Sequence, residues 1–264
     1  MIRLIEHFGR SVLFLFRKGV AFAEETGRIL LFLSATLKQL ALPRYEITNI
    51  FKQMLEVGVR SVPVVVVTAI FTGMVFALQT YTIFKRFGAD TLVGTVVAMS
   101  MTRELGPVLT GLIVSGRAGA AMAAELGTMR VTEQIDALET LATNPVKYLV
   151  VPRFVAGLIM LPALSVCADL IGIIGGYFVT VVLFDTSSVV YWKQTWSYIE
   201  SADIYKGLVK ACFFGGAISL SSSYKGYYAS GGAEGVGKAT TGAVVLSSMT
   251  ILISDYFLSS WLFG

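Results

Sequence analysis

Five ionisable side chains stand inside otherwise apolar stretches: Arg103, Glu104, Asp169, Lys210 and Asp255. An unpaired charge in hydrocarbon costs at least about 2.5–3.5 kcal/mol, so each must be paired, hydrated or used. Two cations against three carboxylates point to pairing, although carboxylates so placed could also carry protons. Other chemistry is poorly supplied. His7 is the one histidine, which leaves no histidine-built metal site and no Ser-His-Asp triad. No catalytic residue, metal or cofactor is expected. The run GAEGVGKA at residues 232–239 is one residue short of a phosphate-binding loop, with Ala239 where a serine or threonine would hold magnesium. No apolar strand precedes it, so its glycines are expected to form a tight turn and not to bind nucleotide.

Charges in that setting need helices to carry them across a bilayer. The chain is 55% hydrophobic and 14% charged, with mean hydropathy +0.73, outside the range of soluble domains. A span takes about 20 apolar residues. Five stretches approach that: 61–84, which is uncharged; 91–116, interrupted by Arg103 and Glu104; 154–184, with Asp169; 207–223, short, Gly/Ser-rich and holding Lys210; and 239–263, with Asp255. The expected fold is an all-α membrane protein with about five transmembrane helices. Cys167 and Cys212 fall within these runs and read as buried free thiols.

Residues 1–45 differ from the rest. Arg3, Arg10, Arg17, Lys18, Arg28, Lys38 and Arg44 are scattered among Leu, Phe and Val, a mixture suited to a helix lying in the membrane interface. A sixth span is the competing reading. A cleaved leader is not expected, because the apolar core at residues 12–16 is too short. Residues 46–264 form the main domain. Basic residues set the orientation. Lys52, Arg60, Arg117, Arg130, Lys147, Arg153, Lys225 and Lys238 fall on the side of the N-terminus, against Lys85, Arg86, Lys193 and Lys206 on the other. The N-terminus and segment 117–153 are therefore expected in the cytoplasm.

Segment 117–153 is the one long patterned insert. Val131, Ile135, Leu138 and Ala142 make one apolar stripe at helical spacing, with Glu133, Gln134, Asp136 and Glu139 on the other faces. Thr132-Glu133 reads as its N-terminal cap and Asn144-Pro145 as its stop. An acidic outer face is poorly matched to anionic headgroups and better matched to a groove on a soluble partner. Upstream, Gly111, Ser115, Gly119 and Ala123 repeat at four-residue spacing, which permits close helix approach.

The run ELGPVLTGLIVSGRAGAAMAAELGTMRVTEQIDALE at residues 104–139 resembles the signature of the MlaE/YrbE family of ABC-transporter permeases. Gly73-Met74-Val75 with Leu78-Gln79 is similar to that family's first-span motif. GAEGVGKATTGAVVLSS at residues 232–248 is similar to the segment leading into its last span. The resemblance covers about residues 50–260 and implies a specific assembly. A homodimer of permeases in the bacterial inner membrane would bind a cytoplasmic ATPase and move phospholipid or related lipids. A periplasmic MCE-domain protein would sit on it, and a small STAS-domain protein on the ATPase is an optional further partner. No nucleic acid is involved.

On that resemblance Val131, Glu133, Ile135, Asp136, Leu138 and Glu139 belong to a coupling helix that docks on the ATPase. Phe76, Gln79, Tyr81, Ile83, Phe84 and Phe87 line a lipid cavity at the dimer interface, or else form an aromatic belt. Glu104 pairs with Lys210, Arg103 lies nearby, and Asp169 and Asp255 sit close to a polar cavity or interface. The alternative function is an ion-coupled secondary transporter of a hydrophobic substrate, with Glu104, Asp169 or Asp255 as proton carriers. Five spans without internal duplication speak against its inverted repeats. A membrane-embedded lipid enzyme would need clustered His, Asp or Cys, which the chain lacks.

Overall fold

Stretches of uniform hydrophobicity form helices because a backbone in hydrocarbon must satisfy its own hydrogen bonds. The computed structural model describes residue 20 and residues 23–42 and 46–263, and every regular element among them is helical. It comprises two units, residues 1–44 and 45–264. In the first, α1 covers residues 23–40, with Leu30, Leu31 and Leu37 exposed and Arg28 3.6 Å from Glu24. The remainder of the basic segment expected at residues 1–45 lies outside the described residues.

The second unit holds ten helices among the described residues. They are α2 (Ile47–Val57), α3 (Val62–Lys85), α4 (Val93–Ser100), α5 (Gly106–Val114), α6 (Ala120–Val131), α7 (Gln134–Thr140), α8 (Val151–Tyr177), α9 (Ser188–Tyr198), α10 (Ser201–Tyr227) and α11 (Gly232–Phe263). Wide π-turns at Met101–Leu105 and Ser115–Gly119 join α4, α5 and α6 into one 42-residue helix, Asp90–Val131. Similar turns at Val146–Val150 and Phe178–Leu183 extend α8 at both ends. Pro63 sits in the first turn of α3, where a missing N–H is tolerated, whereas Pro107 and Pro152 follow directly on π-turns inside longer helices. Arg60 precedes α3 and Lys85 closes it, marking the two ends of the bundle.

Among the described residues, four helices are long and apolar enough to cross a membrane: Ile47–Lys85, Asp90–Val131, Val146–Leu183 and Gly232–Phe263. The fifth expected span, 207–223, differs. It belongs to α10, whose 27 residues would reach about 40 Å. Its composition is too polar to stand with the four, because Lys210, Ser219, Ser221, Ser222 and Ser223 are buried along it. Packed against α5, α6, α8 and α11, α10 keeps those groups away from lipid.

Other boundaries also move. The Gly/Ala run from residue 117 does not leave the bundle, as expected, but continues it as α6, packed on α10 and α11. The small-residue stripe meets the same two helices: Gly111 faces Phe214 and Ile251, Ser115 bonds Ser247 across 2.7 Å, and Gly119 faces Ser222. Residues 232–238 are the first turns of α11, with Glu234 2.6 Å from Lys238; the turn itself is made by Gly231 and Gly232, both at positive φ. Both cysteines are free, but Cys167 is exposed on its helix and not buried.

α2 is amphipathic and not uniformly apolar. It presents Ile47, Phe51 and Leu55 outward while Val57 packs into the core. Arg117, in the second π-turn, holds the end of α2: Nε donates to Ser61 Oγ at 2.9 Å and Nη2 to the Glu56 carbonyl.

Candidate functional site

The first π-turn of the long helix carries Arg103 and Glu104. A π-turn adds a residue to the turn and rotates the side chains after it, a device common at functional sites. Glu104 lies about 21 Å along the helix from Asp90 and about 20 Å from Arg117, midway between those two charges. There α10 delivers Lys210, whose side chain is wholly buried. Its Nζ sits 2.6 Å from Glu104 Oε2 and 2.7 Å from Asp255 Oδ1 of α11, and donates to Ser259 Oγ at 2.8 Å and to the Arg103 carbonyl at 3.0 Å. Ser259 in turn donates to Glu104 Oε1 at 3.0 Å. Three helices are thus tied through one ammonium. Glu104 keeps 41% of its side-chain surface exposed, so the cluster opens to one side.

Arg103 turns away from this group to Asp203, 2.8 Å distant and nearly buried at the start of α10. Its guanidinium also lies 5.1 Å from the Phe263 ring centre. Asp169 joins neither pair. Its Oδ1 is buried without a hydrogen-bond partner among the described residues, against the bare Cα of Gly106.

Beside the cluster, the outer face of α3 forms an open apolar groove of about 450 Å³, lined chiefly by Val67, Phe71, Val75, Phe76, Gln79 and, across from α3, Leu105. That volume falls in the range of small-molecule pockets. Spacing by three and four residues puts the α3 members on one helical face.

At the Arg60 end the chain breaks at Thr132 and Glu133. Glu133 adopts a left-handed conformation, φ 60°, and the short α7 follows. Ile135 is fully buried with Leu126 and Leu149, and Leu138 packs on the same cluster. Arg130 pairs with Asp136 across 2.5 Å. Glu133, Asp136 and Glu139 are exposed carboxylates on the outer side, and Leu141 just after the helix is 75% exposed.

A profile described as Permease MlaE matches residues 50–261. The chain belongs to the MlaE permease family. Among its relatives is a probable ABC transporter permease protein of Rickettsia felis, 49% identical over 94% of this chain and 95% of that protein. The intermembrane phospholipid transport system permease protein MlaE of Haemophilus influenzae is 40% identical over 81% of this chain and 82% of its own length. The chloroplastic protein TRIGALACTOSYLDIACYLGLYCEROL 1 of Arabidopsis thaliana is 37% identical over 81% of this chain and 61% of that protein.

Within this MlaE-family chain, the residues singled out from sequence divide clearly. Glu104, Lys210 and Asp255 come together; Arg103 adjoins them but binds Asp203. Phe76 and Gln79 line the groove. Tyr81 does not: it is buried and stacks on Phe184 with ring centres 4.0 Å apart, and Phe84 packs on the same inner cluster. Ile83 and Phe87 are exposed nearer the Lys85 end. The stripe Val131–Ile135–Leu138–Ala142 does not occupy one helix. The left-handed break at Glu133 separates Val131, in α6, from α7, and Ala142 has φ 56° beyond it. Thr132 bonds the Thr128 carbonyl and caps nothing, while Asn144 Oδ1 accepts from Val146 and Lys147 and so starts the next helix. Ile135 is consequently buried in this chain's own core, and Leu138 packs half-buried on the same cluster.

Sequence reasoning missed Ser259, Asp203 and the buried Arg153, which lies 2.6 Å from Glu125. Ser259 follows Asp255 by one helical turn and Asp203 precedes Lys210 by two, so both share faces with residues already chosen. No local signal pairs Arg153 with Glu125.

Proposed function

We propose that this chain is the membrane subunit of an ABC transporter that moves phospholipid between the bacterial inner membrane and a periplasmic carrier, with ATP hydrolysed by a partner. The observation that carries this reading is the apolar groove on the exposed face of α3, alongside the mid-membrane Glu104–Lys210–Asp255 cluster. Acyl chains need such an apolar wall, and the wall is open where a second copy of the chain would close it. The names of the relatives from Rickettsia felis and Haemophilus influenzae support the same class of activity.

On this reading α10 is the fifth span, enclosed by its neighbours. The Arg60 end is cytoplasmic, in keeping with the excess of basic residues there. The acidic outer side of α7, with Leu141, meets the ATPase, while Ile135 and Leu138 root α7 in the bundle so that a push on it is passed to α6. The opposite end faces the periplasm and an MCE-domain partner; a STAS-domain protein would act through the ATPase. Two of the three mid-membrane carboxylates are engaged by Lys210, which favours this reading over proton-coupled transport.

The test is purification from the native membrane in mild detergent, followed by ATPase assay and lipid mass spectrometry. A co-purifying ATPase, lost when Glu139→Lys and Leu141→Arg are introduced together, with phospholipid bound, is the expected result. A chain that arrives alone, without ATPase activity or lipid, overturns it.

A further inference from the structure

Between α8 and α10 the chain does not simply turn over in water. It makes α9, which packs one face on the long helix. Gly94 of that helix is so close that a Cβ there would lie 2.9 Å from the Tyr191 carbonyl oxygen. Thr95 Oγ1 donates to the Gln194 carbonyl at 3.1 Å, and Tyr191 packs against Ala98 and Ile173. These contacts fix the depth of α9. Thr95 and Ala98 are five and eight residues beyond Asp90, about 7 and 12 Å along the helix axis from that end. The far end of α9 is held inside as well. Two residues, Ile199 and Glu200, join it to α10, and Gly207 of α10 packs directly on the Thr102 carbonyl, about 18 Å inside Asp90. Tyr191 OH donates to the carbonyl of Ile173 at 2.9 Å, ten residues before α8 ends its extension at Leu183.

The opposite face of α9 is apolar and aromatic. Val189 is 76% and Trp196 61% exposed, and Lys193 is exposed between the two indoles. Trp192 and Trp196 stack with ring centres 6.5 Å apart, and Trp192 stacks on Tyr177 of α8 at 5.5 Å. An open groove of about 700 Å³ runs along these rings. The rings are therefore rigidly presented, not loosely splayed.

We infer that α9 is an interfacial helix embedded in the leaflet at the Lys85 end, and that its Trp192–Trp196 face binds the glycerol-ester and phosphate layer of membrane phospholipid. The headgroup region adds only about 5–8 Å beyond the hydrocarbon on each side. With the end of the long helix at the outer edge of that layer, a face held about 7–12 Å inside it spans the base of the layer and the first few ångströms of acyl chain, below the reach of a partner docking from water. Indoles suit this level, with the N–H toward ester carbonyls and the ring toward acyl chain, while Lys193 can reach phosphate. The inference rests on the spans crossing a bilayer and not on the transport reading. Its consequence is positional: α9 fixes α4 and α8, and with them the Arg103–Glu104 turn, at a set depth.

The chain has three tryptophans, and the third, Trp261, is 78% exposed near the end of α11. The experiment uses the full chain with Trp261→Phe, reconstituted in phosphatidylcholine vesicles. The vesicles contain lipid brominated near the head or near the end of the acyl chain. Subtracting the spectrum of a variant that also carries Trp192→Phe and Trp196→Phe isolates the α9 emission from that of any retained partner. The expected result is blue-shifted emission, quenched more strongly by the shallow bromine than by the deep one and little by aqueous iodide. Quenching by iodide without bromine quenching would make the face aqueous. Quenching by neither would put protein over it, and stronger quenching by the deep bromine would place it in mid-bilayer; each of these overturns the inference.

Discussion

Lys210 Nζ lies 2.6 Å from Glu104 Oε2, and no part of the lysine side chain reaches the surface. The ammonium is the only cation that touches both Glu104 and Asp255 among the described contacts. Removing one partner of a buried charge group leaves the others unpaired, a loss of about 3–5 kcal/mol in comparable sites. Lys210→Ala is expected to lower the Tm in detergent markedly. Adding Glu104→Gln and Asp255→Asn to Lys210→Met should recover much of that loss, because no bare charge then remains. Thermal unfolding of the two variants, read side by side, checks this; equal Tm values would mean that the charges are hydrated and not mutually dependent.

The centre of the bundle depends on a second relationship, between backbones. Gly157 of α8 and Gly215 of α10 face each other so closely that a Cβ on either would collide with the carbonyl of the other. Without a hydrophobic drive between helices in lipid, such contact is a main source of association. Gly157→Ala forces the helices apart and should destabilise by about 1–3 kcal/mol, as overpacked cores do. Gly116→Ala, where nothing lies within 4 Å of an added Cβ, is the control and should leave the Tm unchanged. A similar Tm for both variants would contradict the close α8–α10 contact.

The spans themselves were legible because charge-free length is a strong signal, and residues 61–84 lie almost entirely within α3. Composition misleads where a helix is shielded from lipid by its own neighbours. Residues 201–206 and 224–227 are as helical as the stretch between them, yet Asp203, Lys206 and Lys225 hid this. The extension of the long helix through residues 117–131 was obscured for a different reason. Glycines and alanines, read as the start of a separate insert, continue the helix and permit α6 to press on α10 and α11. The left-handed Glu133 had no local mark at all. Glycine or asparagine usually announces such a turn, and without either, the apolar stripe across residues 131–142 read as continuous. Glu104, beside Arg103, and Lys210 were found because each is a charge within an apolar run. Asp203 was not, because its run had been begun too late, at residue 207 instead of 201.

The turn at Glu133 makes two leucine-sized residues near α7 behave oppositely. Ile135 is fully buried with Leu126 and Leu149, whereas Leu141 is 75% exposed. Ile135→Ala should cost about 2–5 kcal/mol of local stability, visible as faster amide exchange across Gln134–Thr140. Leu141→Arg should change stability by no more than about 0.5 kcal/mol, yet weaken retention of the ATPase. Exchange and co-purification measured on both variants separate the roles. Loss of the ATPase with Ile135→Ala but not with Leu141→Arg would move the docking surface away from this corner.

The groove on α3 can be filled without touching the packing beneath it. Val75 is 54% exposed on the groove face, while its neighbours Gly73 and Ala77 are buried against α8 and α4. Val75→Trp adds an indole to a space of about 450 Å³ and removes room for an acyl chain. It should leave the Tm within about 0.5 kcal/mol of the parent in stability terms, because the site is a surface one. Bound phospholipid, measured by mass spectrometry of the purified protein, should fall severalfold. Val182→Trp, 55% exposed at the far end of α8 and outside the groove, is the matched control and should retain its lipid. Undiminished lipid in Val75→Trp would remove the groove from the transport path, whereas an equal fall in both variants would reflect lipid stripped from the whole surface.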